Sequence, residues 1–187
     1  KDAYADALRL IQRQGKKMSV LINDMLMMTR MEQRRESIRM MQLDYSSLCA
    51  SVCEDLRLIR EKNIELSWQL EEGVTIVGNK ELLQRLLVNL ITNAYRYGKE
   101  HGHIQVELKQ TQTEVRLSVA DDGRGIAQEQ LAHIWQRFYQ ADASRSKQGS
   151  GLGLAMVQEI AQLHHGCMKV ESVQGKGSCF TFCIPLK

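Results

Sequence analysis

The chain has 187 residues, 43% of them hydrophobic, and a formal net charge of +3. That is enough for one domain of ordinary size with an appendage, and too balanced to argue for nucleic acid as a partner. No apolar run approaches the roughly 20 residues that cross a bilayer, and no secretory signal opens the chain. Beginning at Lys1, it reads as a cytoplasmic piece of a longer protein, with any membrane segment expected upstream. The five cysteines are odd in number and lack Cys-x-x-Cys spacing, which sets aside a disulfide framework and points to thiols in a reducing compartment. Cys49 and Cys53 fall one helical turn apart, and Cys179 and Cys183 share a face of an expected strand. No histidine has zinc-ligand spacing with them, so they read as small buried residues.

In chain order, residues 1–36 read as one long helix. Tyr4, Leu8, Ile11, Gly15, Met18, Ile22, Met25 and Thr29 alternate steps of four and three, a heptad seam widened by Ala7, Leu21, Leu26 and Met28. Such a stripe requires a partner helix, from the upstream chain or a second subunit. A charged run from Arg30 to Arg39 marks the junction with a compact domain over residues 40–187. There the pattern predicts a strand at 40–44, a helix at 45–61, strands at 64–70 and 75–77, and a helix at 79–97. Strands at 103–110 and 114–120 each show one buried face, Ile104, Val106, Leu108 and Val115, Leu117, Val119, and predict a hairpin. A short helix near 127–135, a polar stretch to Ser150, a helix from Gly151 to His165 and strands at 167–173 and 178–184 complete the chain. This order predicts an α+β sandwich, a mixed sheet with helices on one face.

The helix at 79–97 organises the domain. Leu82, Leu86, Leu90 and Ala94, flanked by Leu83, Leu87 and Ile91, form its apolar face, with Asn79 as N-cap and Glu81 in the first turn. On another face Arg85, Asn89, Asn93 and then Arg96 or Tyr97 stack at steps of three and four. Two carboxamides one turn apart suit a magnesium ion and a phosphate, because an amide oxygen is a hard, neutral ligand that does not repel a nucleotide.

Two glycine loops follow. Asp121-Asp122-Gly123-Arg124-Gly125-Ile126 puts a carboxylate at a strand end, where Asp121 can accept a hydrogen bond from an exocyclic amine such as that of adenine. Gly149-Ser150-Gly151-Leu152-Gly153-Leu154 opens a helix with Met156, Val157, Ile160 and Leu163 on its apolar side, and its amides form an anion site for phosphates. The polar segment before it carries Arg137, Arg145 and Lys147, which can close over phosphate charge.

These stretches, with Phe138-Tyr139 in IWQRFYQAD and Gly175-Lys176-Gly177-Ser178-Cys179-Phe180, resemble the N, G1, F, G2 and terminal glycine motifs of sensor histidine kinases, in order across residues 42–187. The resemblance implies the Bergerat ATP-binding fold with ATP and Mg²⁺ as cofactors. It implies that Asn93 coordinates Mg²⁺ with Asn89 assisting, that Asp121 reads adenine, that Phe138 anchors the ATP lid, and that Thr181 lies near the base. The expected nucleotide site therefore comprises Asn89, Asn93, Arg96, Tyr97, Asp121, Gly123, Gly125, Ile126, Phe138, Arg145, Lys147, Gly149, Gly151, Leu152, Gly153, Leu154 and Thr181, with Asn89, Asn93 and Arg145 in the catalytic role. Residues 21–32, LINDMLMMTRME, are similar to the end of the second helix of the dimerisation and phosphoacceptor domain, where chains pair into a four-helix bundle. The phosphoacceptor motif of that family, His followed by an acidic residue and then Pro, is not in this sequence.

In related ATPases of the gyrase and heat-shock type, a Glu four residues before the metal-binding Asn activates water. Here that position is Asn89, and a carboxamide takes no proton at neutral pH. The resemblance therefore implies transfer of the γ-phosphoryl group to a His on an absent helix, then to an aspartate of a response-regulator receiver domain, within a homodimer built on the N-terminal helix. A nucleotide-binding regulatory module without phosphotransfer is the alternative. A serine kinase of the anti-sigma type shares the ATP motifs without predicting the dimer helix.

Overall fold

A computed structural model describes residues 2–33, 37–59, 61–140 and 150–186. The elements are α1 (Asp2–Gln33), β1 (Met41–Asp44), α2 (Tyr45–Leu56), β2 (Glu65–Leu70), β3 (Thr75–Gly78), α3 (Lys80–Tyr97), β4 (His103–Gln110), β5 (Glu114–Asp121), α4 (Gln128–Leu131), α5 (Gly153–Leu163), β6 (Cys167–Val173) and β7 (Gly177–Pro185). The main sheet has the order β2-β4-β5-β7-β6. Its β2–β4 pair is parallel and the other pairs are antiparallel, with β4 and β5 forming the expected hairpin. β1 and β3 pair with each other as a separate antiparallel ribbon.

Period-two alternation gives the sheet one apolar face. Ile104, Val106, Leu108, Val115, Leu117 and Val119 are all 0–1% exposed. Against that face pack α2, α3 and α5, whose buried stripes include Leu83, Leu86, Leu90 and Ile91 of α3 and Met156, Val157 and Ile160 of α5. The other face carries polar residues such as Ser67, Gln105 and Lys169. This is the two-layer α+β arrangement that the element order predicts.

Asn79 caps α3, accepting from Leu82 N at 3.1 Å, while its Nδ2 donates to the Arg39 carbonyl at 3.1 Å. An aspartate here would supply the cap but not that donor. Two helix ends differ from expectation. α2 stops at Leu56 rather than near Glu61, because Lys62 and Asn63 take φ of 55° and 52° and turn Lys62 toward α3. There Lys62 Nζ donates to the carbonyls of Tyr95, Arg96 and Gly98 at 3.3, 2.6 and 2.9 Å, satisfying the C-terminal acceptors of α3 at the negative end of its dipole. α4 is one turn rather than a helix to residue 135. Beyond it Ile134 is buried, and the Trp135 ring meets Phe180 edge-on at 5.9 Å.

The seam expected along α1 divides into two stripes about 100° apart, the step of one residue around a helix. Asp24, Met28 and Met31 are buried against the domain, with Leu21 half-buried beside them. Tyr4, Leu8, Ile11, Met18, Ile22 and Met25 remain exposed. No helix among the described residues is long and apolar enough to cross a membrane.

Candidate functional site

A cavity of about 910 Å³ opens between α3, the loop after β5, the start of α5 and α1. Asn89, Asn93, Arg96 and Tyr97 of α3 line it, as do Asp121, Gly125, Ile126, Gly151, Gly153 and Leu154. The helical file and both glycine loops therefore meet, although more than 50 residues of chain separate the first from the last.

The carboxamides are half-buried and differ in commitment. Asn89 Nδ2 donates to Met156 Sδ at 3.6 Å, which orients the group and leaves its oxygen uncommitted among the described residues. The Asn93 carboxamide has no hydrogen-bond partner among the described residues. α5 begins at Gly153 with Leu152 in the N-cap position and no side-chain cap, so the positive end of its dipole is left for an anion. The Gly153 α-carbon faces the Asn89 side chain, where an added Cβ would stand 3.9 Å from Oδ1. Gly151 takes φ of +70°, and an added Cβ there would meet the Phe138 backbone at 2.7 Å. Phe138 N in turn donates to the Gly151 carbonyl at 2.9 Å.

At the other end, Asp121 Oδ1 accepts from Gly123 N at 2.9 Å, and a second backbone hydrogen bond comes from Ser178. Burial raises the Asp121 carboxyl above its ordinary pKa; these bonds pull it down, and the Asp122 charge pushes it up again. Burial also opposes ionisation of Asp122, but hydrogen bonds from His103 and Lys99 outweigh it and carry the group below its ordinary value. The two neighbouring carboxylates are thus driven in opposite directions, with the raised one facing the cavity. Gly123 lies under α3, where a Cβ would strike the Tyr97 carbonyl and come within 2.8 Å of Asp121 Oδ1. Arg124 stacks over the Tyr97 ring, 4.4 Å from its centroid, and its N–H donates to the Tyr97 carbonyl at 3.2 Å.

Some expected residues stand elsewhere. Gly123 shapes the Asp121 loop without lining the cavity, and Leu152 is 1% exposed in the core. Phe138 is 56% exposed with φ of 63°, while its neighbours Tyr139 and Gln140 line the cavity. Thr181 is not brought to the site. It lies on the face of the sheet away from the helices, 3.0 Å from Ser118 Oγ, with the same parity as Cys179 and Cys183. Ser178 stands beside Asp121 instead, as its registered partner across β5 and β7, and lines the cavity with Phe180. Arg145, Lys147 and Gly149 lie outside the described residues. The sequence reading missed Ser178, Ile134 and the α1 wall of Arg13, Lys16, Val20, Leu21 and Asp24. Strand parity alone separates Ser178 from Thr181; nothing local signals the α1 wall.

Cys49, Cys53 and Cys183 are buried as expected, whereas Cys179 is half-buried and Cys167 is exposed. Burial pushes the Cys49 thiol far up and Cys53 to about 12, and no group of three or more His, Cys, Asp and Glu residues is gathered to hold a metal among the described residues.

Residues 78–187 match the family described as histidine kinase-, DNA gyrase B- and HSP90-like ATPases. The chain is 38% identical over 183 residues to sensor histidine kinase RppB of Synechocystis sp., covering 96% of this chain and 40% of that protein. It is 30% identical over 181 residues to the phosphate regulon sensor protein PhoR of Haemophilus influenzae, covering 96% and 42%. The chain thus spans less than half the length of these relatives. Among solved structures, full-length ShkA in complex with AMPPNP is 30% identical with a TM-score of 0.83, covering 99% of this chain and 38% of that one. The chain belongs to the histidine kinase-, DNA gyrase B- and HSP90-like ATPase family, and its catalytic ATP-binding domain is of the sensor histidine kinase kind.

Proposed function

We propose that the chain binds Mg²⁺-ATP in this cavity and passes the γ-phosphoryl group to a histidine on a helix outside the sequence, from which it reaches a response-regulator aspartate. The observation that carries this reading is the convergence of Asp121, the Asn89–Asn93 pair and the uncapped start of α5 on one cavity. Asp121 accepts from the adenine amine, and burial, which strips water from its carboxyl, makes the carboxylate a stronger acceptor. The amides at the start of α5 take phosphate oxygens. Asn93 fits Mg²⁺, because its carboxamide has no partner among the described residues and faces the cavity as a neutral oxygen donor. When bound, the ion neutralises phosphate charge. Asn89 cannot abstract a proton from water, so ATP is kept for the acceptor rather than hydrolysed.

A transphosphorylation assay tests the proposal. The 187-residue chain, given Mg²⁺-ATP and a phosphoacceptor helix from a sensor histidine kinase, is expected to label the helix in an acid-labile, base-stable form while releasing little free phosphate. ATP binding without label on any acceptor would identify a regulatory module instead, and brisk phosphate release would overturn the role of Asn89.

A further inference from the structure

α3 carries its polar residues in file. Arg85, Asn89 and Asn93 follow at four-residue steps, and Tyr97 ends the file beside the Asp121 loop, where Gly123 and Arg124 both meet its carbonyl. Twelve residues of helix separate Tyr97 from Arg85, about 18 Å at the rise of an α-helix. Asp121 therefore stands at one end of the file and Arg85 at the other, one turn past Asn89, the residue that the start of α5 faces. A nucleotide lying along α3 with its base at Asp121 points its last phosphate toward Arg85.

Arg85 is engaged, but incompletely. Its Nη2 pairs with Asp24 of α1, a residue only 7% exposed. Its Nε is buried and meets no acceptor among the described residues. A guanidinium offers five donors in a planar fork that suits phosphate, and one carboxylate oxygen does not saturate it. Both partners line the cavity, so the pair forms part of its wall. A second ion pair, Arg137 with Glu32, and the buried Met28 and Met31 hold α1 against the domain independently.

Resting on the nucleotide reading above, we propose that Arg85 is a specificity residue that binds the terminal phosphate of a nucleoside triphosphate, and that Asp24 competes for the same guanidinium. A triphosphate reaches Arg85 and displaces Asp24. A diphosphate stops short, so the ion pair stays closed. The site thereby distinguishes ATP from ADP, and the grip of α1 loosens only when the triphosphate arrives.

Calorimetric titration of Mg²⁺-ATP and Mg²⁺-ADP into the wild-type chain, Arg85→Ala, Arg85→Lys and Asp24→Asn tests this. Arg85→Ala should weaken ATP about tenfold or more, the order expected for one charge-assisted contact, with ADP changed less than about twofold. Arg85→Lys, which keeps the charge but not the fork, should recover part of that loss. Asp24→Asn should tighten ATP several-fold and leave ADP unmoved, because the competitor is weakened. ADP binding by each variant reports an intact fold. Substitutions that shift both nucleotides alike, or neither, would overturn the assignment while leaving the nucleotide site standing. A wild-type chain that binds neither nucleotide would overturn the nucleotide reading and this inference with it.

Discussion

Asp121, the proposed base-reading residue, works against the fold that holds it. Burial raises its pKa above the unfolded value, so between those two values the folded chain binds more protons than the unfolded one. Stability is then greatest below the unfolded pKa and is lost as pH rises through the raised folded one, which leaves the ionised Asp121 a net cost at neutral pH. Asp121→Asn removes that charge and keeps an oxygen that can accept from Gly123 N. The substitution should raise the thermal midpoint of the free chain while weakening Mg²⁺-ATP by about tenfold or more through loss of the charge-assisted bond to the base. Calorimetry and a thermal melt on one sample check both; a lower midpoint with unchanged affinity would show that Asp121 is structural. At this scale the site was legible where chemistry and chain neighbours coincide, as at Asn89, Asn93 and Asp121. It was not legible at Ser178, whose place is set by register with β5, a pairing 57 residues away in the chain. Thr181, three residues further along the same strand, is turned by strand alternation to the opposite face.

Elements meet at points where a single side chain joins two of them, and the buried His164 is one of these. It ends α5, donates from Nδ1 to the Ile160 carbonyl at 2.7 Å, and accepts at Nε2 from Asn79 N, 3.0 Å away at the start of α3. That second bond requires the neutral ring, and burial, with help from the charge of His165, lowers the His164 pKa against the opposing effect of the Ile160 bond. The sign follows: the contribution is complete above the unfolded value near pH 6.5 and is lost as pH falls through the lower folded one. Between about pH 7.5 and pH 5 the wild type should lose more thermal stability than His164→Gln, whose side chain does not titrate in that range. Parallel slopes in differential scanning fluorimetry would remove His164 from this role. Element interiors were legible because periodicity is local, as in the alternation of β4 and β5 or the stripe of α3. The end of α2 was not, since Lys62 leaves the helix to satisfy carbonyls of α3 more than 30 residues on.

At the scale of the molecule, α1 faces two ways. Its 32 residues make a rod about 48 Å long, and the contacts that fasten it to the domain, Asp24, Met28, Met31 and Glu32, all lie in its second half. Leu8, Ile11 and Met18 stand 62%, 66% and 63% exposed, and with Ile22 and Met25 they form a stripe at alternating steps of three, four and seven. Such a stripe on a free helix gains stability only by pairing, because isolated helices are marginal in water and the apolar area remains wetted. A second copy supplies a matching stripe, and α1 can use it without releasing the cavity, because the two contact surfaces lie on adjacent sides of the rod. Sedimentation at micromolar concentrations should therefore show self-association of the wild type, and Leu8→Glu with Met18→Glu, which places four carboxylates in a paired seam, should reduce it to monomer. Neither residue lines the cavity, so nucleotide affinity should stay within about twofold of wild type, a difference of less than about 0.5 kcal/mol. Equal association of both proteins would move the interface elsewhere. Loss of association together with loss of nucleotide binding would instead mean that the paired rod is needed to build the α1 wall of the site, joining dimerisation to catalysis through the same helix.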